Sequence, residues 1–353
     1  MNAELQKNIK PLTPYTAGEY PNTRGIIKLN TNEAPYPPSP EVIKAFKSVV
    51  PEDFGLYPDP ESRAFKAAAA KFYGLDENQI LPANGSDDSL ALIFMTFFNS
   101  GKPVLFPDIT YSFYKVWCSM FNVPYKTVPL SPDFKLDPRG YTIENGGIII
   151  ANPNAPTGVA LDLDDIRFIL DKNPGVVVVI DEAYIDFGGV SAVPLLSEYE
   201  NLVVVHTFSK YRALAGMRIA LSMANAELIS CLNAAKNSNN SYPLSCAAQG
   251  IAAAALEDDA YYRANAALVI QTREKFVKEL DGMGFNTLPS SANFIFTTHK
   301  SVKANDIFVY LKEQNIYVRY FNAPKIDNFL RITIGTQAHM DAVTAKIRKF
   351  MNR

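Results

Sequence analysis

The chain has 353 residues, of which 48% are hydrophobic and 20% are charged. This is the balance of a soluble globular enzyme with room for one large and one smaller domain. Its 34 lysines and arginines nearly balance its 36 aspartates and glutamates, and the formal charge is -2. Such near-neutrality argues against a nucleic-acid-binding or membrane-surface role, because either would need clustered positive charge.

The cysteines and histidines exclude further classes. They are Cys118, Cys231, Cys246, His206, His299 and His339. The cysteines have no C-x-x-C spacing and indicate a reducing compartment, and the histidines are too widely separated to predict a metal centre. The start of the chain lacks the apolar core of a secretory signal, and no apolar run approaches the roughly 18 residues of a membrane span. We therefore expect a cytoplasmic protein with no metal, nucleic-acid or membrane partner.

The first forty residues are rich in proline, asparagine and threonine, and predict an extended arm because each X-Pro step disfavours helix. This arm, residues 1–40, is expected to pack with the smaller domain. The patterns that follow predict helices over about 41–49, 62–73 and 87–99.

Short apolar runs then alternate with helical patterns. The predicted strands lie in "PVLFP", "GGIIIANP", "GVVVVIDEA", "NLVVVHTFS" and "RIALSMA". Valine- and isoleucine-rich runs separated by helices are typical of a mostly parallel α/β sheet covered on both faces. A long helical stretch broken near Pro243 follows, and shorter strands and helices return after Asp281. We predict a large domain over 41–245 and a small α+β domain over 246–353.

In open parallel sheets, ligands bind beyond the carboxyl ends of the strands, so the polar residues that end each apolar run are candidates. The run "VVVVIDEAY" ends in Asp181 and Glu182, as the Walker B strand of an ATPase would. That function also requires a G-x-x-x-x-G-K-[ST] loop, and the one Gly-Lys pair, Gly101-Lys102, is followed by Pro103. No G-x-G-x-x-G follows a strand, so a nicotinamide site has no support either.

The stretch "ANGSDDSLALIF" allows two interpretations. Gly85 permits a tight turn, and Ser86 or Asp87 can cap the helix that follows. The same helix start could bind an anion, because its first N–H groups are free and its dipole end is positive. An aspartate in the first turn would compete with such an anion unless its side chain turned away.

The stretch "HTFSKYRALAGMRIA" contains a lysine, Lys210, where a strand leaves the core. Most lysines in this position lie on the surface, but Ser209 and Arg218 are close in sequence and Asp181 ends another predicted strand. A neutral lysine amine forms Schiff bases with aldehydes, and a carboxylate beside a pyridine nitrogen would make pyridoxal phosphate an electron sink. Together these residue types match the needs of that cofactor.

The motifs "NGSDD", "PDITYSFY", "NPNAPTG", "VVVVIDEAYIDF", "TFSKYRALAGMR" and "LRITIGT" resemble those of the fold-type I pyridoxal-phosphate aminotransferases. The resemblance runs in order over nearly the whole chain, and the S-K-x7-R unit with the upstream D-E-A-Y is highly specific. Softer motifs, "LTPY", "LNTNEAPYPPSP" and "YPDPES", are most similar to the histidinol-phosphate aminotransferase family. The resemblance implies a large domain with a mostly parallel seven-stranded sheet flanked by helices, and a smaller α+β domain.

The resemblance also implies roles around the cofactor. Lys210 would bind pyridoxal 5'-phosphate covalently and move the proton of the substrate Cα, and Asp181 would pair with the pyridine N–H. Tyr111 would stack on the ring and Tyr184 would donate to its phenolic oxygen, although many of the 18 tyrosines serve only in packing. The phosphate and the ring oxygen would be held by residues among Gly85, Ser86, Asp87, Asn154, Ser209 and Arg218.

Substrate residues follow from the same resemblance. Arg331 would bind the anionic end of the substrate and Arg319 is a second anion ligand, unless it is an ordinary surface arginine. Tyr15 and Asn32, with Glu33, would close over the distal group. Tyr57 would reach the phosphate of the neighbouring subunit, which implies a homodimer with shared active sites.

Two positions depart from the family pattern. The usual P-N-N-P-T-G reads Pro153-Asn154-Ala155-Pro156-Thr157-Gly158, so the residue that binds the phenolic oxygen is Ala155. Either Asn152 or Asn154 substitutes for it, or Tyr184 alone serves the oxygen. Tyr211-Arg212 replace the usual pair after the lysine.

The leading prediction is transamination between histidinol phosphate and 2-oxoglutarate, giving imidazole-acetol phosphate and glutamate. Three alternatives stay open: an aromatic or branched amino-acid aminotransferase, a threonine-phosphate decarboxylase, and a non-catalytic cofactor-binding regulator.

Overall fold

The computed structural model describes residues 12–15, 18–19, 21 and 25–352. Its strands are β1 (Ile27–Lys28), β2 (Ile80–Ala83), β3 (Val104–Pro107), β4 (Tyr125–Val128), β5 (Gly147–Ala151), β6 (Val178–Asp181), β7 (Leu202–Thr207), β8 (Ala220–Ala224), β9 (Phe285–Thr287), β10 (Phe294–His299), β11 (Ile316–Tyr317), β12 (Arg319–Tyr320) and β13 (Leu330–Thr333). Its helices are α1 (Pro40–Lys47), α2 (Arg63–Tyr73), α3 (Ser86–Phe97), α4 (Phe113–Met120), α5 (Leu163–Lys172), α6 (Ala226–Asn239), α7 (Cys246–Glu257), α8 (Asp259–Asp281), α9 (Ala304–Glu313) and α10 (Gln337–Met351).

The valine- and isoleucine-rich strands form a seven-stranded sheet in the order β2-β8-β7-β6-β5-β3-β4. All of its strands except β8 run in the same direction, because β8 is antiparallel to both of its neighbours. The predicted α/β fold with a mostly parallel seven-stranded sheet is thus confirmed. The reversal of β8 brings the residues before it to the same edge at which the parallel strands end.

Alternate residues of the central strands pack into two different apolar layers. Val178, Ile180, Leu202 and Val204 belong to one layer, which also contains Phe65 of α2. The residues between them, such as Val179 and Val203, belong to the other layer, with α3 and α4. Because side chains on a strand alternate between faces, the sheet is buried on both sides.

A second, four-stranded antiparallel sheet has the order β12-β13-β10-β9. It packs with α8 and α9, and α10 packs against these two helices. β1 pairs in parallel with β11 next to this sheet, so the end of the predicted N-terminal arm joins this part of the molecule. Part of that arm, residues 1–11, 16–17, 20 and 22–24, lies outside the described residues.

The sequence patterns located most elements to within about two residues but missed β1, β9 and α4, as well as β2 and β4 of the large sheet. Both are edge strands, and "ILPA" and "YKTV" lack long apolar runs. Pro82 is tolerated in β2 because an edge strand pairs on one side only. The helix α7 contacts α1 and α2, whereas α8 contacts α10 and β9, and the domain division at residue 246 stays a prediction. Within the described ranges, no helix combines the length and apolarity needed to cross a bilayer.

Candidate active site

A cavity of about 1030 Å³ lies between the carboxyl edge of the seven-stranded sheet and the strands β12 and β13. Side chains at the ends of β5, β6 and β7 form one wall, and residues of β12, β13 and the loop after β12 form the other. The carboxyl edge of a parallel sheet is where ligands are bound in this type of architecture. The cavity brings together most of the residues that the sequence singled out.

Lys210 follows β7 and reaches into this cavity. Its Nζ donates to the backbone oxygen of Thr31 at 3.0 Å and lies 5.8 Å from the ring centroid of Tyr184. Burial, followed by the positive charge of Arg331, lowers the pKa of the Lys210 amine to about 8. A substantial fraction of this amine is therefore neutral near physiological pH, as a nucleophile requires.

Asp181 is the last residue of β6, and its carboxylate is buried. Its Oδ2 accepts from the hydroxyl of Tyr114 at 2.8 Å, whereas its buried Oδ1 has no hydrogen-bond partner among the described residues. Burial raises the pKa of Asp181 to about 6. A buried carboxylate with a free oxygen calls for a cationic N–H partner, so this side chain fits a protonated pyridine nitrogen. The sequence patterns missed Tyr114, although it lies three residues after Tyr111 in the same motif.

The turn before α3 forms a second polar region of the cavity. Gly85 has a φ of 82°, and a Cβ atom there would lie 2.6 Å from an Arg218 guanidinium nitrogen. Ser86 begins α3. The N–H groups of Asp88 and Ser89 donate to the Gly85 oxygen, whereas those of Ser86 and Asp87 have no acceptor among the described residues. Arg218 donates to Asp87 Oδ2 at 3.0 Å, and Ser209 lies beside Thr207 on the same cavity wall. Guanidinium, hydroxyls and free N–H groups are the donors that a phosphate needs.

The Asp87 side chain does not turn away from this region. Its Oδ1 accepts from the hydroxyl of Tyr111 at 3.1 Å, while its Oδ2 is paired with Arg218. Asp87 therefore links the aromatic ring and the arginine that were both predicted to contact the cofactor, and a phosphate bound here would compete with Asp87 for the Arg218 guanidinium.

Tyr184 and Asn32 are joined directly, since the Asn32 amide donates to the Tyr184 hydroxyl at 3.0 Å. Asn32 is buried in a left-handed conformation, and its side-chain oxygen accepts from Thr333. This contact holds the residues after β1 against β13. Tyr15 stacks on Phe113, with ring centroids 4.8 Å apart, next to Tyr111.

Arg319 and Arg331 lie directly opposite each other on β12 and β13, so both guanidiniums are on one face of the sheet and line the cavity. The Arg331 guanidinium donates to the oxygen of Asn30, but its buried Nε has no partner among the described residues. Burial lowers the pKa of Arg331. Two like charges in register are unfavourable unless an anion lies between them, so this pair fits an anionic ligand group.

Asn154, which was predicted to bind the cofactor, is not among the residues that line the cavity. Its side-chain amide is already bonded: the nitrogen donates to Ile109 and Thr157, and the oxygen accepts from Thr110. Asn152 is occupied in the same way by the backbone of Leu161. Ala155 lines the cavity but has no polar side chain to offer the phenolic oxygen of a cofactor. The side chains of Asn152 and Asn154 are both bonded within the protein instead.

Tyr57 also lies away from the cavity of its own chain. Its side chain is 82% exposed and stacks on Tyr242 with ring centroids 4.7 Å apart. This position is compatible with the predicted contact to a neighbouring subunit and keeps Tyr57 away from the cavity of its own chain.

A family model for aminotransferase class I and II matches residues 24–347. The chain belongs to this family. The predicted enzyme class, an aminotransferase, is confirmed.

Relatives within the family are close in sequence. The chain is 51% identical over 329 residues to histidinol-phosphate aminotransferase 1 of Hydrogenovibrio crunogenus, covering 93% of this chain and 92% of that protein. It is 50% identical over 343 residues to the histidinol-phosphate aminotransferase of a Marinomonas species, covering 96% and 97%.

Solved structures share the fold at lower sequence identity. A histidinol-phosphate aminotransferase from Sinorhizobium meliloti in complex with pyridoxal-5'-phosphate has a TM-score of 0.84 at 23% identity, covering 92% of this chain and 91% of that chain. The histidinol-phosphate aminotransferase from Clostridium acetobutylicum has a TM-score of 0.85 at 20% identity, covering 93% and 99%.

Proposed function

We propose that this protein is a pyridoxal-phosphate-dependent aminotransferase that transfers the amino group of histidinol phosphate to 2-oxoglutarate, giving imidazole-acetol phosphate and glutamate. One observation carries the proposal: a buried carboxylate with a free oxygen, a lysine of lowered pKa and a pair of facing arginines line the same cavity. The two relatives described above, at 51% and 50% identity, are named for this activity.

The residues at the sheet edge fit the proposed cofactor. When bound, pyridoxal phosphate supplies the electron sink that stabilises negative charge on the substrate Cα. Asp181 would keep the pyridine nitrogen protonated through its free Oδ1. Ser86, Ser209 and Arg218 would bind the phosphate, together with N–H groups at the start of α3.

Lys210 would bind the cofactor covalently and would then move the proton at the substrate Cα. Its lowered pKa suits both tasks, since a base works best when its pKa lies near the operating pH. The Tyr184 hydroxyl would donate a hydrogen bond to the phenolic oxygen of the cofactor, and Ala155 would contribute none. In this proposal the hydrogen bond from Asn32 sets the direction of that hydroxyl.

The arginine pair supports an anionic substrate group. Histidinol phosphate has no carboxylate, so its phosphate would lie between Arg319 and Arg331. The carboxylate of 2-oxoglutarate would use the same guanidiniums in the second half-reaction. Tyr15 and Asn32 lie at the same cavity and would contact the rest of the substrate.

We also propose a homodimer in which Tyr57 completes the partner's phosphate site. Tyr57 stacks on the exposed Tyr242, and several apolar side chains close to Tyr57 in sequence are also exposed, as side chains at an interface would be before association. They are Phe46, Val50, Phe54 and Leu56.

A substrate screen tests the proposal. The purified holoenzyme is assayed for glutamate formation from 2-oxoglutarate with histidinol phosphate, phenylalanine and leucine as amino donors. We expect histidinol phosphate to exceed the others in kcat/KM by at least about tenfold. Comparable rates with phenylalanine would contradict the assignment of substrate, and carbon dioxide release from threonine phosphate would make the protein a decarboxylase.

A further inference from the structure

Glu182 and His206 form a buried pair that the proposed chemistry does not use. The Glu182 side chain is 0% exposed and the His206 side chain is 8% exposed. The Nε2 of His206 lies 2.6 Å from Glu182 Oε2, and its Nδ1 lies 2.9 Å from the hydroxyl of Tyr73 on α2. Ionisable groups are rarely buried to this extent without a specific role.

The pair lies directly behind the cofactor site. Glu182 follows Asp181 at the end of β6, and His206 is four residues before Lys210 at the end of β7. Side chains alternate between the two faces of a sheet, so Asp181 faces the cavity and Glu182 faces the opposite apolar layer. That layer contains Ile180 and Val204, which precede the pair by two residues on each strand.

Both oxygens of the Glu182 carboxylate accept hydrogen bonds from other segments of the chain. Oε1 accepts from the backbone N–H of Ala192 at 2.6 Å, and Oε2 accepts from the Ser191 hydroxyl at 2.6 Å as well as from His206. Its backbone N–H donates to Val205 of β7. Glu182 thus joins β6, β7 and the loop before residue 193 at the level of Asp181.

The groups that face His206 come from every element around it. They are Tyr73 on α2, Glu182 on β6, Asp186 in the turn after Tyr184, and Arg212 after Lys210. Burial alone would lower the pKa of His206, but the hydrogen bond and negative charge of Glu182 outweigh burial and raise it.

We propose that Glu182 and His206 are positioning residues for the cofactor site, with Tyr73 orienting the imidazole. The pair joins the carboxyl ends of β6 and β7 from the face opposite the cavity. It thereby holds Asp181 and Lys210 at a fixed separation, which a rigid cofactor bonded to both side chains requires. The inference rests on the proposed cofactor.

The test compares Glu182→Gln and His206→Gln with a matched control, Asn173→Ala. Asn173, which follows α5, is also a buried polar residue with several hydrogen bonds, to Asn145, Tyr141 and Ile169. It does not line the cavity. Three quantities are measured for each holoenzyme: the thermal midpoint, the rate at which pyridoxal phosphate is lost on dilution, and the pH midpoint of the visible absorption of the bound cofactor.

We expect all three variants to lower the thermal midpoint. Glu182→Gln and His206→Gln should in addition release the cofactor about tenfold faster, or move the pH midpoint by roughly half a unit, because the charged side-chain pair no longer reinforces the backbone pairing of the two strand ends. Asn173→Ala should leave both cofactor properties unchanged. If the two site variants match the control in both cofactor properties, the pair is only structural and the proposal is wrong.

Two further results keep the test decisive. Should Glu182→Gln fail to fold, Tyr73→Phe retains the buried pair and is expected to speed cofactor release about threefold, since the imidazole loses one of its two hydrogen bonds. An unchanged release rate in that variant would reject the proposal. Wild-type protein that shows no visible absorption with pyridoxal phosphate would instead reject the proposed function.

Discussion

The wall of the cavity at the seven-stranded sheet and the wall at β12 and β13 are assembled in different ways. The first wall presents Asp181 and Lys210 at the ends of buried parallel strands, and each lies within a continuous sequence motif. The second presents Arg319 and Arg331 on two short strands, together with Tyr15 and Asn32 from near the start of the chain. The first wall suits a rigid resident cofactor, and the second suits the groups of an exchanging substrate.

The two walls meet at an apolar contact and an ion pair. Ile109 and Phe134 from the side of the large sheet pack with Phe296 and Ile326 of the other side. Lys325 donates to Asp108 at 2.7 Å beside this contact. Because the two walls are built from different segments, we expect substitutions in the first wall to change cofactor binding and substitutions in the second to change substrate binding.

The largest effect is expected at the first wall. Lys210→Ala removes the amine that binds the cofactor and moves the proton, so activity should fall by roughly four orders of magnitude. The visible absorption that depends on the lysine should disappear, as measured by spectroscopy of protein mixed with pyridoxal phosphate. A retained visible band would show that another residue holds the cofactor.

A large effect of a different kind is expected at the second wall. Arg331→Ala should lower kcat/KM for histidinol phosphate roughly a hundredfold, because charge-assisted hydrogen bonds to the phosphate are lost. The visible spectrum of the cofactor should stay unchanged. Arg331→Lys is the matched control, and it should recover part of the loss since it keeps the charge without the planar fork. If Arg331→Ala altered the cofactor spectrum as strongly as Lys210→Ala does, the two walls would not have separate roles.

The pH dependence of cofactor binding tests whether the pKa of Lys210, in the first wall, is lowered. The neutral amine of Lys210 is the nucleophile, and its pKa is lowered to about 8. The rate at which protein free of cofactor forms the visible band should therefore rise about tenfold from roughly pH 7 to pH 9 and then level off. A lysine with an ordinary pKa would give a rate that is still rising above pH 9, which would contradict the assigned effect of burial.

The smallest effect is expected where the walls meet. Lys325→Ala removes an ion pair in which the lysine is exposed and Asp108 is half-buried. Such pairs near the surface contribute little, so KM for either substrate should change by about threefold at most. Asp108→Asn is the matched control, and the double variant should show no additional change. A cofactor spectrum that shifts in either variant would mean that the contact between the walls supports the first wall as well.

Much of the first wall could be predicted from the sequence, and the second wall much less. Apolar runs that end in polar residues, such as Asp181 and Lys210, indicate strand ends at one edge of a sheet, where side chains converge whatever the loop details. Tyr114 was missed because a tyrosine on a helix gives no signal of what it bonds. The surroundings of Asn154 could not be predicted because the motif does not reveal that Thr110 and Thr157 bond its amide.

The sequence by itself determined the α/β fold, the family and the residues that line the sheet edge, since apolar periodicity and contiguous motifs are local properties. Only the tertiary structure decided which oxygen of Asp181 is free, that Arg319 faces Arg331, and that Glu182 and His206 meet behind the cofactor site. Each of these depends on strand register and on contacts between distant segments. Those follow from packing of the whole chain, which no single stretch of residues encodes.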